Sequence, residues 1–454
     1  MVSSEAKFIE KVTSAFEAEG RLRWMQAMKF ETTPSPELAE GVPWLLSREA
    51  SDLRFELHEA GRLNSAHHDL LRRHLLRIKA RSSTREHPLQ AFLHSNLDVD
   101  SRPVPVYELA SELGRLQEDR RRHRIAQALE RCAEDWVAPF VDRALEVDDS
   151  VASKQQEAAE ILDSTEELAR ALSDVHFKGR SWSHVVEALA SDAEASLFRA
   201  DTRFRRFAEA VAPLGLNSRL ASLRGDRVAM KLPSYSVIAL RPPGDIRLVV
   251  PQFGGVLAEC MEFEVFGSAF SLLLRAPSLP VFERFPLDSG LYRSVGVLWG
   301  QLLADREFLR RVYSLSRNQA ESIARRLVLW FCMRLRWEAA RLWVASTEGR
   351  ERSSLVVALV QRLFAVEVPE ALSQLILLSG EASYERMRDL QCGLALHGAL
   401  RERYNEDWFR NPRSVEALYA LSQRGSSLTH EQVQTELGLN DYGVSHRLGE
   451  LFDP

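Results

Sequence analysis

The chain has 454 residues, of which 45% are hydrophobic and 27% charged, an ordinary globular composition that excludes a largely disordered or fibrous protein. At this length a single hydrophobic core stops growing, so two or more packed lobes are expected. Lys and Arg total 59 against 64 Asp and Glu, a formal net charge of -5, without the basic excess of a dedicated nucleic-acid binder.

The segment that follows Met1 to Glu5 carries charge and lacks the apolar stretch of a secretion signal. The most apolar runs, Phe266 to Leu274 and Ser354 to Val360, fall well short of the roughly 20 residues that span a bilayer. No membrane partner is expected. The four cysteines, Cys132, Cys260, Cys332 and Cys392, are too scattered for a CxxC motif and too few for a disulfide scaffold, which fits reduced thiols in a cytoplasm.

His58 and Glu59 begin an HExx sequence, but Arg62 stands where a zinc helix needs its second histidine. A packed or surface helix is expected there. Two basic runs, Arg72 to Lys79 and Arg120 to Arg124, lack the interleaved aromatics that stack on bases and read as solvated helix faces. Phe140 to Ala212 and Leu287 to Val368 contain no proline and repeat apolar residues every three or four positions, which predicts long helices.

Between them, Ser234 to Leu240 and Asp245 to Val250 flank Arg241-Pro242-Pro243-Gly244, predicting two strands around a turn. Further on, Val328, Phe331, Leu335, Ala339 and Leu342 make one apolar helix face. Arg325, Arg326, Arg334, Arg336 and Arg341 lie among them and read as solvated or paired charges without a function. In the C-terminal segment, Thr429 and Gln432 have capping-box spacing and residues 428–452 have a helix-turn-helix rhythm. Glu431, Glu436, Asp441 and Glu450 outnumber the single Arg447 there, which argues against DNA reading.

Three segments, Val104 to Leu109, Leu240 to Arg247 and Trp408 to Ser414, resemble the M3 family of zinc oligopeptidases, gluzincins of neurolysin-like helical fold, and particularly its bacterial M3-like branch. The resemblance implies a mainly α, two-lobed fold with a small β element near 234–250. A boundary near residue 180 divides it into an N-terminal helical lobe, 1–180, and a gluzincin-like lobe, 181–454. In the family, strand and turn lead through a Gly-Gly, here Gly254 and Gly255, into the helix bearing HExxH.

On that alignment the two zinc histidines correspond to Phe263 and Gly267, the general base to Glu264, and the third ligand falls near Arg293. Neither Phe nor Gly offers a side-chain lone pair to zinc. The stripe Phe263, Phe266, Phe270 and Leu274 predicts apolar packing instead, and an internal pair of Glu264 with Arg293 would replace the ion. A Cys260–Glu264 metal site lacks a third partner.

The resemblance further implies peptide contact at Tyr384 and beside Gly254 and Gly255. The expectation is therefore a pseudoenzyme without metal or other cofactor, binding or scaffolding a peptide or protein partner. An active zinc oligopeptidase is the rival, and a DNA-binding regulator acting through the C-terminal helices is the third reading.

Overall fold

The computed structural model describes residues 4–27, 44, 47–61, 63–83, 95–99, 102–106, 109, 119–141, 154–176, 182, 196–215, 220, 222–228, 236–251, 255–286, 290–347, 351–378, 384–405, 407–438 and 444–452. Helices α1 (Ser4–Ala27), α2 (Arg48–Glu59) and α3 (Ser65–Ser83) come first, followed by a hairpin of β1 (Asn96–Val99) and β2 (Arg102–Pro105). Then come α4 (Asp119–Val141), α5 (Gln155–Ser164), α6 (Glu166–His176) and α7 (Arg203–Val211).

A three-stranded sheet interrupts the helices, with β3 (Leu223–Val228), β4 (Ser236–Arg241) and β5 (Asp245–Pro251) in the order β3-β5-β4. The antiparallel β4–β5 pair is the element anticipated around the Pro-Pro-Gly turn, and Ile238 faces Arg247 in its register. Two elements were not anticipated. One is β3, parallel to β5, and the other is the β1–β2 hairpin.

The sheet feeds α8 (Val256–Leu273), then α9 (Val281–Arg284), α10 (Leu291–Gln301), α11 (Arg306–Tyr313) and α12 (Arg317–Ala345). The proline-free stretch from 287 is thus several helices, because other residues end and begin them. Asp305 accepts from the amides of Glu307 at 2.8 Å and Phe308 at 3.1 Å, starting α11. Ser314 turns left-handed after it, and Ser316 with Gln319 forms a capping box for α12. The remainder comprises α13 (Glu351–Phe364), α14 (Glu370–Leu378), α15 (Tyr384–Tyr404), α16 (Pro412–Ser422), α17 (His430–Leu437) and α18 (Val444–Phe452).

The fold is therefore mainly α with little sheet. The predicted apolar face of α12 is wholly buried, from Val328 to Leu342. Buried side chains on both sides of residue 180 join one cluster that runs from Phe8 to Leu451. A smaller cluster gathers Ile125 and Leu129 of α4 against Leu372 and Leu375 of α14. Among the described residues no helix is long and apolar enough to cross a membrane.

Candidate functional site

The site begins at Gly255, which precedes α8 with φ 106° and ψ 158°, a conformation that a side chain would strain. Its amide donates to the Phe198 carbonyl at 3.1 Å, fixing where the helix starts. Gly254 lies outside the described residues. Helix α8 is buried on nearly all sides, which explains why it is apolar around its circumference.

One face of α8 carries the predicted aromatic stripe. Phe207 of α7 sits against it, with its ring centroid 5.4 Å from Phe263, 5.0 Å from Phe266 and 6.4 Å from Phe270. Phe263 also meets Phe308 edge-on at 6.1 Å. The stripe is core packing.

A second face closes on α10 through small residues. A Cβ on Gly267 would stand 2.6 Å from Trp299 Cδ1 and 2.7 Å from its Cβ. On Gly296 it would meet Ser268 and the Glu264 carbonyl, and on Gly300 the Glu264 side chain. Where the resemblance places two zinc histidines, the structure thus has a ring packed on rings and a glycine lying against an indole.

Glu264 is 15% exposed and accepts from both terminal nitrogens of Arg334 on α12, Nη1 and, at 3.1 Å, Nη2. This corrects the expected pairing: the carboxylate does meet a cation, but the cation is Arg334 rather than Arg293. Burial alone would weaken the Arg334 charge, yet the facing carboxylate outweighs it and its pKa is raised. Arg293 is exposed and points its Nε at Tyr292 Oη, 3.1 Å away.

The donor set does not fit zinc. Burial, reinforced by the Glu264 charge, holds the Cys260 thiol far above its ordinary pKa, and its Sγ donates to the Gly300 carbonyl at 3.5 Å. Glu264 is committed to a guanidinium. Among the described residues no three His, Cys, Asp or Glu side chains converge on one point, whereas zinc takes about three protein ligands.

Glu264, Arg293 and Arg334 line a cleft of about 490 Å³ together with Trp330, Trp337 and Asp389. Tyr384 is not among its lining residues. Its hydroxyl donates to Glu157 Oε2 of α5 at 2.7 Å, and Lys154 lies 4.2 Å from its ring centroid. Burial and that carboxylate push the Tyr384 pKa up to about 12, so it serves as a helix-to-helix tie.

Sequence reasoning missed an ion cluster beneath α8. Arg203 of α7, fully buried, reaches Glu259 at 2.9 Å and Glu262 at 2.6 Å, while Tyr313 donates to Glu259 at 2.5 Å. Burial raises the Glu259 pKa to about 7, against the opposing pull of Tyr313, Arg203 and Arg206. The available signal was the matched three-residue spacing of Arg203 with Arg206 and of Glu259 with Glu262. The cluster joins α7, α8 and α11, and none of these residues is among those lining the cleft.

The other motifs resolve as packing. His58 is bonded to the Leu63 carbonyl at 2.9 Å and stacks on His68. In the basic runs His74 is buried against the Phe282 carbonyl, and Arg122 is buried too. The Thr429 capping box is present, but α17 and α18 face the body of the protein: His430 meets Asp389 at 2.8 Å, and Arg447 is held by Glu402 and Glu450.

No family model and no curated protein matches the chain. Solved structures do. Metallocarboxypeptidase 1 of Trypanosoma cruzi is 12% identical with a TM-score of 0.60, covering 99% of each chain. PZ peptidase A, solved with an inhibitor, is 10% identical with a TM-score of 0.59 over 97% of this chain and 85% of that one. A structure described as an oligoendopeptidase F from Bacillus anthracis str. Ames is 11% identical with a TM-score of 0.55, over 97% and 88%. At such identities the likeness is one of fold, and the chain has the mainly helical, M3-peptidase-like architecture that its sequence segments implied.

Proposed function

We propose that this chain is a pseudoenzyme: a metallopeptidase-like protein without hydrolytic activity that holds a peptide or protein segment in the cleft beside α8, α10 and α12. The observation that carries the reading is the two-pronged Glu264–Arg334 pair. A carboxylate that turns both oxygens onto a guanidinium is oriented towards that cation and away from a metal-bound water, which argues against its serving as the general base. The Gly267–Trp299 contact supports the same conclusion by filling the volume that a second histidine would need.

The residues that remain suit binding. The cleft has the size of an ordinary small-ligand or short-peptide site, and it mixes indole faces with charged heads. A non-catalytic scaffold with a peptide groove uses the architecture without the chemistry.

Metal content per chain and chelator-sensitive cleavage of a mixed peptide library test this together. The expected result is substoichiometric zinc and no cleavage above buffer. One zinc per chain with chelator-sensitive turnover would reverse the reading in favour of an active oligopeptidase.

A further inference from the structure

We propose that the cleft holds a primary ammonium group, the amino terminus or a lysine head of a peptide, on the carboxylates of Glu338 and Asp389. This rests on the reading of the cleft as a peptide site and adds the group by which a ligand is recognised. Glu338 of α12 and Asp389 of α15 both line the cleft. Asp389 is 3% exposed, and its Oδ1 accepts from the Gly290 amide at 2.7 Å and sits 2.8 Å from His430 Nε2. Its Oδ2 is buried and, like Glu338 Oε2, has no hydrogen-bond partner among the described residues. Native proteins rarely leave a buried carboxylate oxygen without a donor. These two oxygens, contributed by different helices to one cleft, mark acceptors that a ligand would satisfy.

The groups around Asp389 do not offset its burial. Burial raises its pKa against the combined pull of His430, Arg293 and the Gly290 amide, so the site still lacks a compensating donor. The arginines of the cleft do not supply one. Arg334 turns both terminal nitrogens to Glu264, Arg293 directs its Nε at Tyr292, Arg23 stands 3.9 Å from Glu19, and Arg341 and Arg386 are engaged as well. Because Arg334 is paired with Glu264, the two together put little net charge on the wall beside Glu338. The Glu338 charge helps to raise the Arg334 pKa, yet no guanidinium nitrogen reaches its Oε2. A divalent ion fits less well, because no three His, Cys, Asp or Glu side chains converge among the described residues. An ammonium is compact and brings three N–H donors, and its bonds to ionised oxygens are charge-assisted. The indoles of Trp330 and Trp337, which line the same cleft, offer apolar surface to the carbon chain behind it.

Calorimetric titration of the full-length protein with short peptides whose carboxyl ends are amidated tests the inference. The probes share one apolar sequence and differ in charge: a free amino terminus, an acetylated terminus, an acetylated terminus with one added Lys, and an acetylated terminus with one added Glu. The non-peptide comparison is n-butylammonium. Peptides bearing an ammonium are expected to bind about tenfold tighter than the uncharged one at about pH 7. By about pH 9.5 the amino-terminal peptide should lose that advantage, because its ammonium titrates near pH ~8, whereas the lysine peptide keeps its charge and its advantage. An advantage of only one of the two ammonium peptides at neutral pH supports the inference and identifies the source of the group. E338Q and D389N keep the shapes of the side chains and, with their folds checked by circular dichroism, are each expected to narrow the preference to about threefold or less. Should either variant not fold, the other decides together with the peptide ranking of the unaltered protein.

Equal binding of ammonium-bearing and acetylated peptides overturns the ammonium preference and leaves the peptide site standing. Absence of binding by every peptide overturns both. Tightest binding of the Glu peptide overturns the inference, as does a preference that survives undiminished in both variants. Binding of n-butylammonium as tight as that of the peptides overturns the peptide assignment in favour of a free amine.

Discussion

Glu264 and Arg334 hold each other in a partly buried setting, with side chains 15% and 27% exposed. Removing one member strands the other, which costs more than the pair contributes when intact. Arg334→Met is therefore expected to destabilise the protein by about 1–3 kcal/mol, and Glu264→Gln added to that variant should return part of the loss. Urea denaturation of both single variants and the double variant measures this. Strict additivity would show that the two groups do not interact. Gly267→Ala probes the adjacent contact. The gain in helix propensity of about 1 kcal/mol is set against overpacking on Trp299 of about 1–3 kcal/mol, and because the collision involves the Cβ and Cγ of the indole and not a flexible tip, net destabilisation is expected.

The joint between α7 and α8 is pH-sensitive by construction. Glu259 has an ordinary carboxyl pKa of 4.5 when exposed and about 7 when folded, raised chiefly by burial. Between those values the folded chain binds more protons than the unfolded one, so stability falls as pH rises through the window and stays at the lower level above it. The full effect is on the order of 3 kcal/mol. Glu259→Gln should flatten the slope, as read from urea midpoints at about pH 5 and 8, and an unchanged slope would locate the titration elsewhere. A second joint is Arg336, fully buried in α12. It donates to the Leu162 carbonyl at 2.7 Å, to Thr165 at 2.9 Å and to Glu166 at 2.8 Å, closing the C-terminal end of α5 and the start of α6. Arg336→Met should cost about 3–5 kcal/mol, the range for breaking a buried pair, measured by thermal or chemical melting.

These joints explain what could and could not be read from residue order alone. The faces of α8 and α12 were legible because periodicity reports which side of a helix is apolar. The β4–β5 pair was legible from β-branched residues around a proline turn. β3 was not, since Leu223-Arg224-Gly225-Asp226-Arg227-Val228 carries more charge than apolar content and is a strand only by parallel pairing with β5. β2 carries two prolines, which demote a strand reading. Arg334 and Arg336 read as solvated or paired charges, and both are paired, with Glu264 and Glu166; the partners were not legible because periodicity cannot show which neighbouring helices cover a polar stripe. The choice of Arg334 over Arg293 depends on how α12 crosses α8, a tertiary fact.

Across the molecule, one continuous core takes in Val433 of α17 and Leu448 and Leu451 of α18 together with Phe8 and Phe16 of α1. The C-terminal pair is part of the body. A chain ending at residue 427 should lose cooperative melting altogether, whereas a detachable DNA-reading tail would leave the melting curve intact. Circular dichroism against temperature separates the two.

The glycine seam between α8 and α10 also bears on how this architecture could change. An imidazole at position 267 needs the volume that Trp299 occupies, and trimming the indole first would leave a void amid Phe207, Phe270 and Trp408, whose rings lie 5.3–5.7 Å from it. Either order of substitution passes through an intermediate less stable than both endpoints, by amounts comparable with the whole margin of a folded domain. The seam thus works as a ratchet: a mutational path towards coordination must descend into a valley before it can climb.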